Sequence, residues 1–389
     1  MDFDFSEDHR MLRDTVREFA RAQVAPGAAA RDQAHKIEPE LIAQMAEMGL
    51  FGICIPQEFG GSGMDCVAST IVVEEISKAC AGTGVFLSAH NSLCVDPILG
   101  FGTQAQKEKY LPGLASGKTI GCFSLTEPGS GSDAGAARCT AVEQGDAWIV
   151  NGSKIFVTNG AEAGIIVLFA VTDPDNPRHR MSAFVVEQPT DGLSIAKLEH
   201  KMGIRCTSTA EFLFENCAIP NTNMIDNRGD GLRVALTTLD GGRIGVAAQG
   251  LGIAEACLDA AIDYAREREQ FKRPIGAFQA IQEKIANMAV SVAASRMLVY
   301  RAAWLKDQNR SYAYEAAQAK LFAAEACNRA ASAAVQVYGG YGFCDDYPVE
   351  RLYRDAKITE LYEGTSEIHR LVIARGLLDP AANAWETNR

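Results

Sequence analysis

Three short stretches carry residue types able to do chemistry. The first is Leu125-Thr126-Glu127-Pro128-Gly129-Ser130-Gly131-Ser132-Asp133, in which glycines alternate with hydroxyl side chains. Glycine lets a ligand approach the backbone, so such a loop can offer N–H groups and hydroxyls to a polar or anionic group. It can equally be a long surface turn. It is neither a Walker loop nor the GxGxxG opening of a βαβ unit, so a dinucleotide bound here would not be held in the Rossmann manner. The second stretch, Phe156-Val157-Thr158-Asn159-Gly160, ends a strand in a turn. Its aromatic beside a strand-end hydroxyl suits the flank of a flat heteroaromatic ring, or a core residue followed by a turn. The third is Leu361-Tyr362-Glu363-Gly364-Thr365-Ser366-Glu367-Ile368, where Gly-Thr-Ser reads as a helix start with Glu367 in the first turn. Glu363 then falls on the loop side. It is either a solvated loop carboxylate or, if it points into a cleft, a desolvated group whose raised proton affinity suits a general base.

Two more glycine pairs stand among helical patterns. Leu239-Asp240-Gly241-Gly242-Arg243 is read as the beginning of a long helix, and Val337-Tyr338-Gly339-Gly340-Tyr341-Gly342 as the end of another, where glycine is the common stop signal. The charged run Arg266-Glu267-Arg268-Glu269 reads as a solvated helix end.

These stretches need elements to position them. Residues 1–119 are mostly helical, with Met11, Val16 and Phe19 on one face and Leu41, Ile42, Met45 and Leu50 on another. Residues 120–230 change to short β-rich runs at 148–150, 155–158, 165–171, 183–186 and 211–214, separated by Gly, Asn, Asp and Pro. Residues 231–389 return to long Ala-rich helices, expected at 244–268, 280–307 and 312–338. Helices, then strands, then long antiparallel helices argue for an α+β protein of three regions and against alternating βα units.

Composition narrows the function classes. The chain has 389 residues and a formal charge of −12, a field that repels nucleic acid and anionic membrane. Its 11 cysteines form no CxxC pair and read as free buried thiols of a reducing compartment, and its six histidines show no metal-ligand spacing, so no metal site is expected. The apolar run 165–171 is too short to cross a bilayer and the start is acidic where a secretory signal is basic, so membrane insertion is not expected. A cytoplasmic protein fits, or one of the mitochondrial matrix if a transit peptide has been trimmed.

In order along the chain, LTEPGSGSDAG, FVTNG, LDGGRIGVAAQ, REREQF, QVYGGYGF and LYEGTSEI together closely resemble the acyl-CoA dehydrogenase family, from Phe5 to about Leu378. Within it the chain is most similar to the short-chain, butyryl-CoA dehydrogenases. The resemblance implies an N-terminal helical domain, a middle β domain and a C-terminal four-helix domain. It implies FAD as cofactor, contacted by Phe123, Leu125, Thr126, Gly131, Ser132, Phe156, Val157 and Thr158. Many relatives carry Trp where this chain has Phe156. Arg268, Gln279, Gln336, Val337, Gly339 and Gly340 would reach FAD partly across a subunit boundary, with Thr365, Ser366 and Glu367 completing the site. A homo-oligomer, commonly a tetramer, is therefore implied. Ser132, Asp240, Gly241, Gly242, Arg243 and Gly364 match acyl-CoA contacts, and Glu363 matches the base. Relatives that place the base at the position of Gly242 are excluded as a guide, since glycine cannot serve. The implied reaction removes an α-proton, transfers the β-hydride to flavin N5, and passes electrons to electron-transfer flavoprotein. Branched-short-chain or medium-chain dehydrogenation and acyl-CoA oxidation are the neighbouring alternatives, and a non-catalytic assembly relative is the distant one.

Overall fold

The computed structural model of the chain describes residues 4–378; the outer ends of the first and last sequence regions, 1–3 and 379–389, lie outside them. The N-terminal part is helical: α1 (Glu7–Phe19), α2 (Ala28–Ala34), α3 (Pro39–Glu47), α4 (Cys66–Ala79), α5 (Ala81–Ser88), α6 (Asp96–Phe101) and α7 (Gln104–Ala115). Local signals start several of these. Asp65 caps α4 by accepting from Ala68 N at 2.8 Å, and Thr103 and Gln106 form a reciprocal capping box on α7. A π-helical segment, Ala89–Val95, joins α5 to α6.

The middle part is one sheet of β1 (Ile120–Ser124), β2 (Thr140–Gln144), β3 (Ala147–Thr158), β4 (Ala163–Val171), β5 (Met181–Glu187), β6 (Leu193–Leu198), β7 (Thr209–Pro220) and β8 (Met224–Ile225). Its order is β6-β7-β3-β2-β4-β5-β8, with β1 parallel to β4. The runs expected at 148–150 and 155–158 are one strand: β3 stays paired with β7 through two register shifts, so Gly152 and the polar residues around it bend the strand without ending it. β1, β2 and β6 carry little hydrophobic alternation and were not expected. β6 is an edge strand with almost no buried side chain, so nothing in its pattern marks it.

The C-terminal part holds α8 (Gly231–Glu267), α9 (Gln279–Asp307), α10 (Ala313–Tyr338), α11 (Pro348–Ala356) and α12 (Ser366–Leu378). α10 packs on α8, α9 and α12. One expectation is corrected here: α8 begins at Gly231, so Asp240–Arg243 lies inside the helix and not at its start. Interior glycine costs about 1 kcal/mol relative to alanine, and close packing offsets it. A Cβ on Gly250 would stand 3.2 Å from Ala323 O of α10, and Gly252 packs directly on the backbone of α4 at Lys78 N and Glu74 O. Helix backbones this close need small residues on the facing side, which α10 supplies as buried Ala316, Ala319, Ala323 and Ala330. Among the described residues α8 is the helix long and apolar enough to cross a bilayer, a segment the sequence reading passed over, but 72% of its most apolar window is buried against the rest of the protein.

Candidate active site

Glu363 sits in the loop before α12 with a backbone φ of 52°, a left-handed conformation costly for any residue with a Cβ, followed by Gly364 at 98°. Strain of this kind persists only where surroundings fix it, and the fixtures are visible. Lys320, wholly buried in α10, donates from Nζ to Gly364 O at 2.6 Å. The Tyr362 hydroxyl donates to Gln249 Oε1 of α8. Thr365 caps α12, accepting from Ile368 N at 3.3 Å. Glu367 is held below its ordinary range by its own backbone N–H and by the Thr365 hydroxyl.

The loop turns the Glu363 carboxylate against α8. A Cβ on Gly242 would overlap Glu363 Oε2, so the glycine that breaks the helical pattern makes room for the carboxylate. Oε2 is shut off from solvent and has no hydrogen-bond partner. Burial pushes the Glu363 carboxyl up to about 7, with Lys320 and Arg243 pulling the other way. Burial also draws the Lys320 amine down to about 8, opposed by Glu363. Arg243 is buried, pairs with Asp240, and leaves its Nε unpartnered. Ser366 Oγ and both ring nitrogens of His369 are likewise buried and unpartnered. So many unmet polar atoms around one carboxylate are uncommon in a protein interior and mark a place where a polar ligand completes the bonding.

The first and second stretches meet. Ile155 N donates to Thr126 O at 2.8 Å, and Lys154 Nζ donates to Leu125 O at 2.9 Å and to Glu127 Oε1 at 2.7 Å. The Glu127 carboxylate also accepts from Arg138 N at 2.6 Å and Cys139 N at 3.0 Å. Burial works against its charge, but Lys154 and these N–H groups hold Glu127 below the usual carboxylate range. The loop is thus clamped to β3 from beneath, and its glycines face outward: a Cβ on Gly129 or Gly131 would meet nothing. Ser132 is exposed, while Leu125 and Val157 are buried. Beside this loop, the second register shift of β3 turns Phe156 out at φ 57° with 62% of its surface exposed. A bulge that aims an aromatic outward, next to a glycine-rich turn, fits the face of a flat ring better than it fits a core. Phe123, partly buried, packs on Phe169 at 4.8 Å between ring centroids.

The remaining candidates gather elsewhere. Arg268, Val337, Gly339 and Gly340 line an open cavity of about 490 Å3 where α8 and α10 both end, with the Arg268 guanidinium 5.5 Å from the Tyr341 ring centroid. Gly339 stops α10 at φ 63°, as its sequence position suggested. Gln279, at the first position of α9, and Gln336 are exposed and do not line that cavity.

Sequence reading missed Lys154 and Lys320. A lone lysine in the alanine-rich run Ala316-Ala317-Gln318-Ala319-Lys320 was the available signal, since a lysine on an otherwise apolar helix face needs a buried acceptor.

Family profiles match along most of the chain: acyl-CoA dehydrogenase N-terminal domain over residues 6–118, middle domain over 122–217 and C-terminal domain over 229–378. The short-chain specific acyl-CoA dehydrogenase of Clostridium acetobutylicum is 48% identical, over 96% of this chain and 99% of its own. Butyryl-CoA dehydrogenase from Megasphaera elsdenii superposes with a TM-score of 0.95 at 42% identity, covering 97% of this chain and 100% of that one. A chain from the structure of the electron transferring flavoprotein of Acidaminococcus fermentans gives 0.96 at 49% identity, covering 97% and 100%.

Proposed function

This chain belongs to the acyl-CoA dehydrogenase family of oxidoreductases, and from that premise we propose that it oxidises short straight acyl-CoA thioesters to trans-2-enoyl-CoA, with Glu363 as the base. The observation that carries the reading is the Glu363 carboxylate, buried, unpartnered and pressed against a glycine. A carboxylate with its affinity raised to about 7 is a stronger base than an ordinary one and is still about half ionised at neutral pH.

FAD fits the residues present. Thr126, Gly131, Phe156 and Thr158 offer an open glycine-flanked edge and an outward aromatic, and Arg268, Gly339 and Gly340 offer an open cavity with a guanidinium. Gln279, Gln336 and Val337 belong to the same proposed contact set. Bound there, FAD supplies the acceptor for the hydride from the β-carbon.

The chain's own residues do the rest. Glu363 Oε2 removes the α-proton, and the backbone N–H of the same residue steadies the charge that builds on the thioester oxygen. Lys320 and Arg243 limit how far that carboxylate's affinity rises, and Gly242 leaves the space that the carboxylate itself occupies. Ser132, Asp240, Gly241, Gly242, Arg243 and Gly364 are the proposed acyl-CoA contacts. Electron-transfer flavoprotein is the proposed acceptor of the electrons, and a homo-oligomer, a tetramer, the proposed working state.

The test is anaerobic mixing of the FAD-loaded protein with acyl-CoA of four to eight carbons. Bleaching of the flavin with a short-chain optimum is expected; no bleaching at any length ends the proposal.

A further inference from the structure

The helical part and the sheet touch through two cysteines. Cys80 is the residue between α4 and α5, and Cys206 stands in the loop 199–208 that joins β6 to β7. The Cys206 thiol donates to the Cys80 sulfur across 3.9 Å. Among the described residues no other two cysteines make such a contact. The bond from Cys206 draws the Cys80 thiol well below its ordinary range, against burial, and the Arg31 guanidinium adds to that pull. The same bond, together with burial, pushes Cys206 up. Arg31 is itself buried and its Nε has no partner. A thiol beside a second thiol and an incompletely paired guanidinium is in the setting of a reactive cysteine, not of an inert packing residue. Both cysteines are nearly closed off, at 4% and 3% exposed. That shuts out bulky reagents and leaves a water-sized oxidant, a peroxide, as the class that fits.

The segments that carry the two thiols are tied to the turn after β3. Asn159, wholly buried, donates from its backbone N to Ser208 O at 3.1 Å and from Nδ2 to Phe86 O of α5 at 2.9 Å. Ser208 is two residues from Cys206, and Cys80 immediately precedes α5. Asn159 directly follows Thr158 and stands three residues after the outward Phe156. The loop is also under strain: Ile204, a β-branched residue, has φ 45° and is pinned through its N–H by Asp355 Oδ1 of α11 at 2.5 Å.

We infer that Cys80 and Cys206 are a thiol switch: a peroxide joins them in a reversible disulfide, which draws the loop 199–208 onto the α4–α5 corner and loosens the Asn159 turn beside Thr158 and Phe156. The Cys80 thiolate attacks one oxygen of hydrogen peroxide and breaks the O–O bond, giving a sulfenic acid and a hydroxide that takes up the proton Cys80 had released. The Cys206 sulfur then attacks the Cys80 sulfur, and its proton leaves with the displaced oxygen as water. Two thiols and one peroxide become one disulfide and two waters, and a dithiol reductant reverses the bond by exchange. Bonded sulfurs stand about 2 Å apart, so the two segments must close by about 2 Å. Asn159 stays with α5 through Phe86, so the movement falls on its bond to Ser208, which is lost beyond about 3.5 Å.

The test treats the native, fully reduced protein with a few equivalents of hydrogen peroxide, alkylates the remaining thiols, and maps the digest without reductant by mass spectrometry. A peptide pair linked through Cys80 and Cys206 is expected, and dithiothreitol should abolish it. Amide exchange across residues 156–161 should quicken about fivefold in the oxidised protein, the factor set by loss of one ordinary hydrogen bond, and should return on reduction. Cys206→Ala should remove both effects, and so should Cys80→Ala, so either variant decides if the other does not fold. Absence of the linked pair, or a linked pair that leaves exchange unchanged, overturns the switch. In the FAD-loaded protein, release of the flavin on dilution should quicken by a similar factor after oxidation. That last readout alone rests on the FAD reading above: a protein that never takes up FAD overturns that reading, while the peptide map and the exchange still decide the switch.

Discussion

Around Glu363 the neighbours come from the core of one chain: Lys320 from α10, Gly242 and Arg243 from α8, Tyr362 and Gly364 from the loop itself. Around Arg268 the glycines Gly339 and Gly340 meet nothing, and the cavity opens to the outside. The first region is strained and fixed in place by contacts that a single chain supplies. The second has glycine where no neighbour of its own chain requires it. Base chemistry needs a group fixed before substrate arrives, whereas a surface for a large ligand or a second subunit needs room. Substitutions should therefore act on opposite quantities in the two regions, on rate at Glu363 and on retention at the cavity.

The largest effect is expected from Glu363→Gln. Glutamine keeps the size and much of the hydrogen bonding but cannot accept the α-proton. Anaerobic stopped-flow reduction of the bound flavin should slow by ~10²–10⁴-fold, while ligand-induced spectral shifts show that acyl-CoA still binds. Reduction within a few-fold of wild type would remove Glu363 from its proposed role. Next comes Gly242→Ala, whose methyl would displace the carboxylate. A misplacement of about 1 Å costs on the order of 10²-fold, so reduction should slow by about that factor with little change in melting temperature; an unaffected rate would mean the carboxylate does not act where it lies.

Lys320→Met sharpens the same region through pH. Proton abstraction needs the charged carboxylate, so the wild-type kcat/KM should rise through about pH 7 and level above it. Without the Lys320 charge the midpoint should move up by about one unit, a roughly tenfold loss at pH 6 that is recovered at high pH. A uniformly lower rate with an unmoved midpoint would assign Lys320 to loop support alone. Stability runs the other way. Native Glu363 keeps its proton to about 7 against an ordinary value of 4.5, so the stability this group contributes is full below the unfolded value and is lost as pH rises through that window. The smallest effect is expected at the cavity. Gly340→Ala meets no neighbour, so unfolding should change by less than about 0.5 kcal/mol, while FAD release on dilution quickens a few-fold. Unchanged release would detach that cavity from the cofactor.

The two regions also differ in how far the sequence disclosed them. The α12 start was legible because Thr365 and Ser366 are ordinary capping chemistry, and the α10 stop because Gly339 adopts a positive φ. The α8 start was not, because Gly241 and Gly242 read as a break, and only the carboxylate and lysine packed against them explain why a helix runs through. The outward turn of Phe156 depends on a register shift between β3 and β7, a relation between distant segments that no local pattern encodes. The clamp beneath the glycine-rich loop was hidden for a similar reason, since Lys154 and Glu127 are 27 residues apart and meet only when β3 is laid down beside the loop.

One consequence concerns what the gene can tolerate. α8 passes Gly242 under the base and delivers Arg268 to the cavity without interruption, a span of about 39 Å at 1.5 Å per residue. Deleting one residue between them would turn the far end by about 100° and carry Arg268 away from Gly339. A helix that joins both regions therefore behaves like a shaft with a keyed coupling at each end. Point substitutions along its buried face can be absorbed by repacking except where glycines such as Gly252 lie against a neighbouring backbone, but single-codon insertions and deletions anywhere between Gly242 and Arg268 should be absent from any library selected for function, while the β6 edge and its flanking turns accept them.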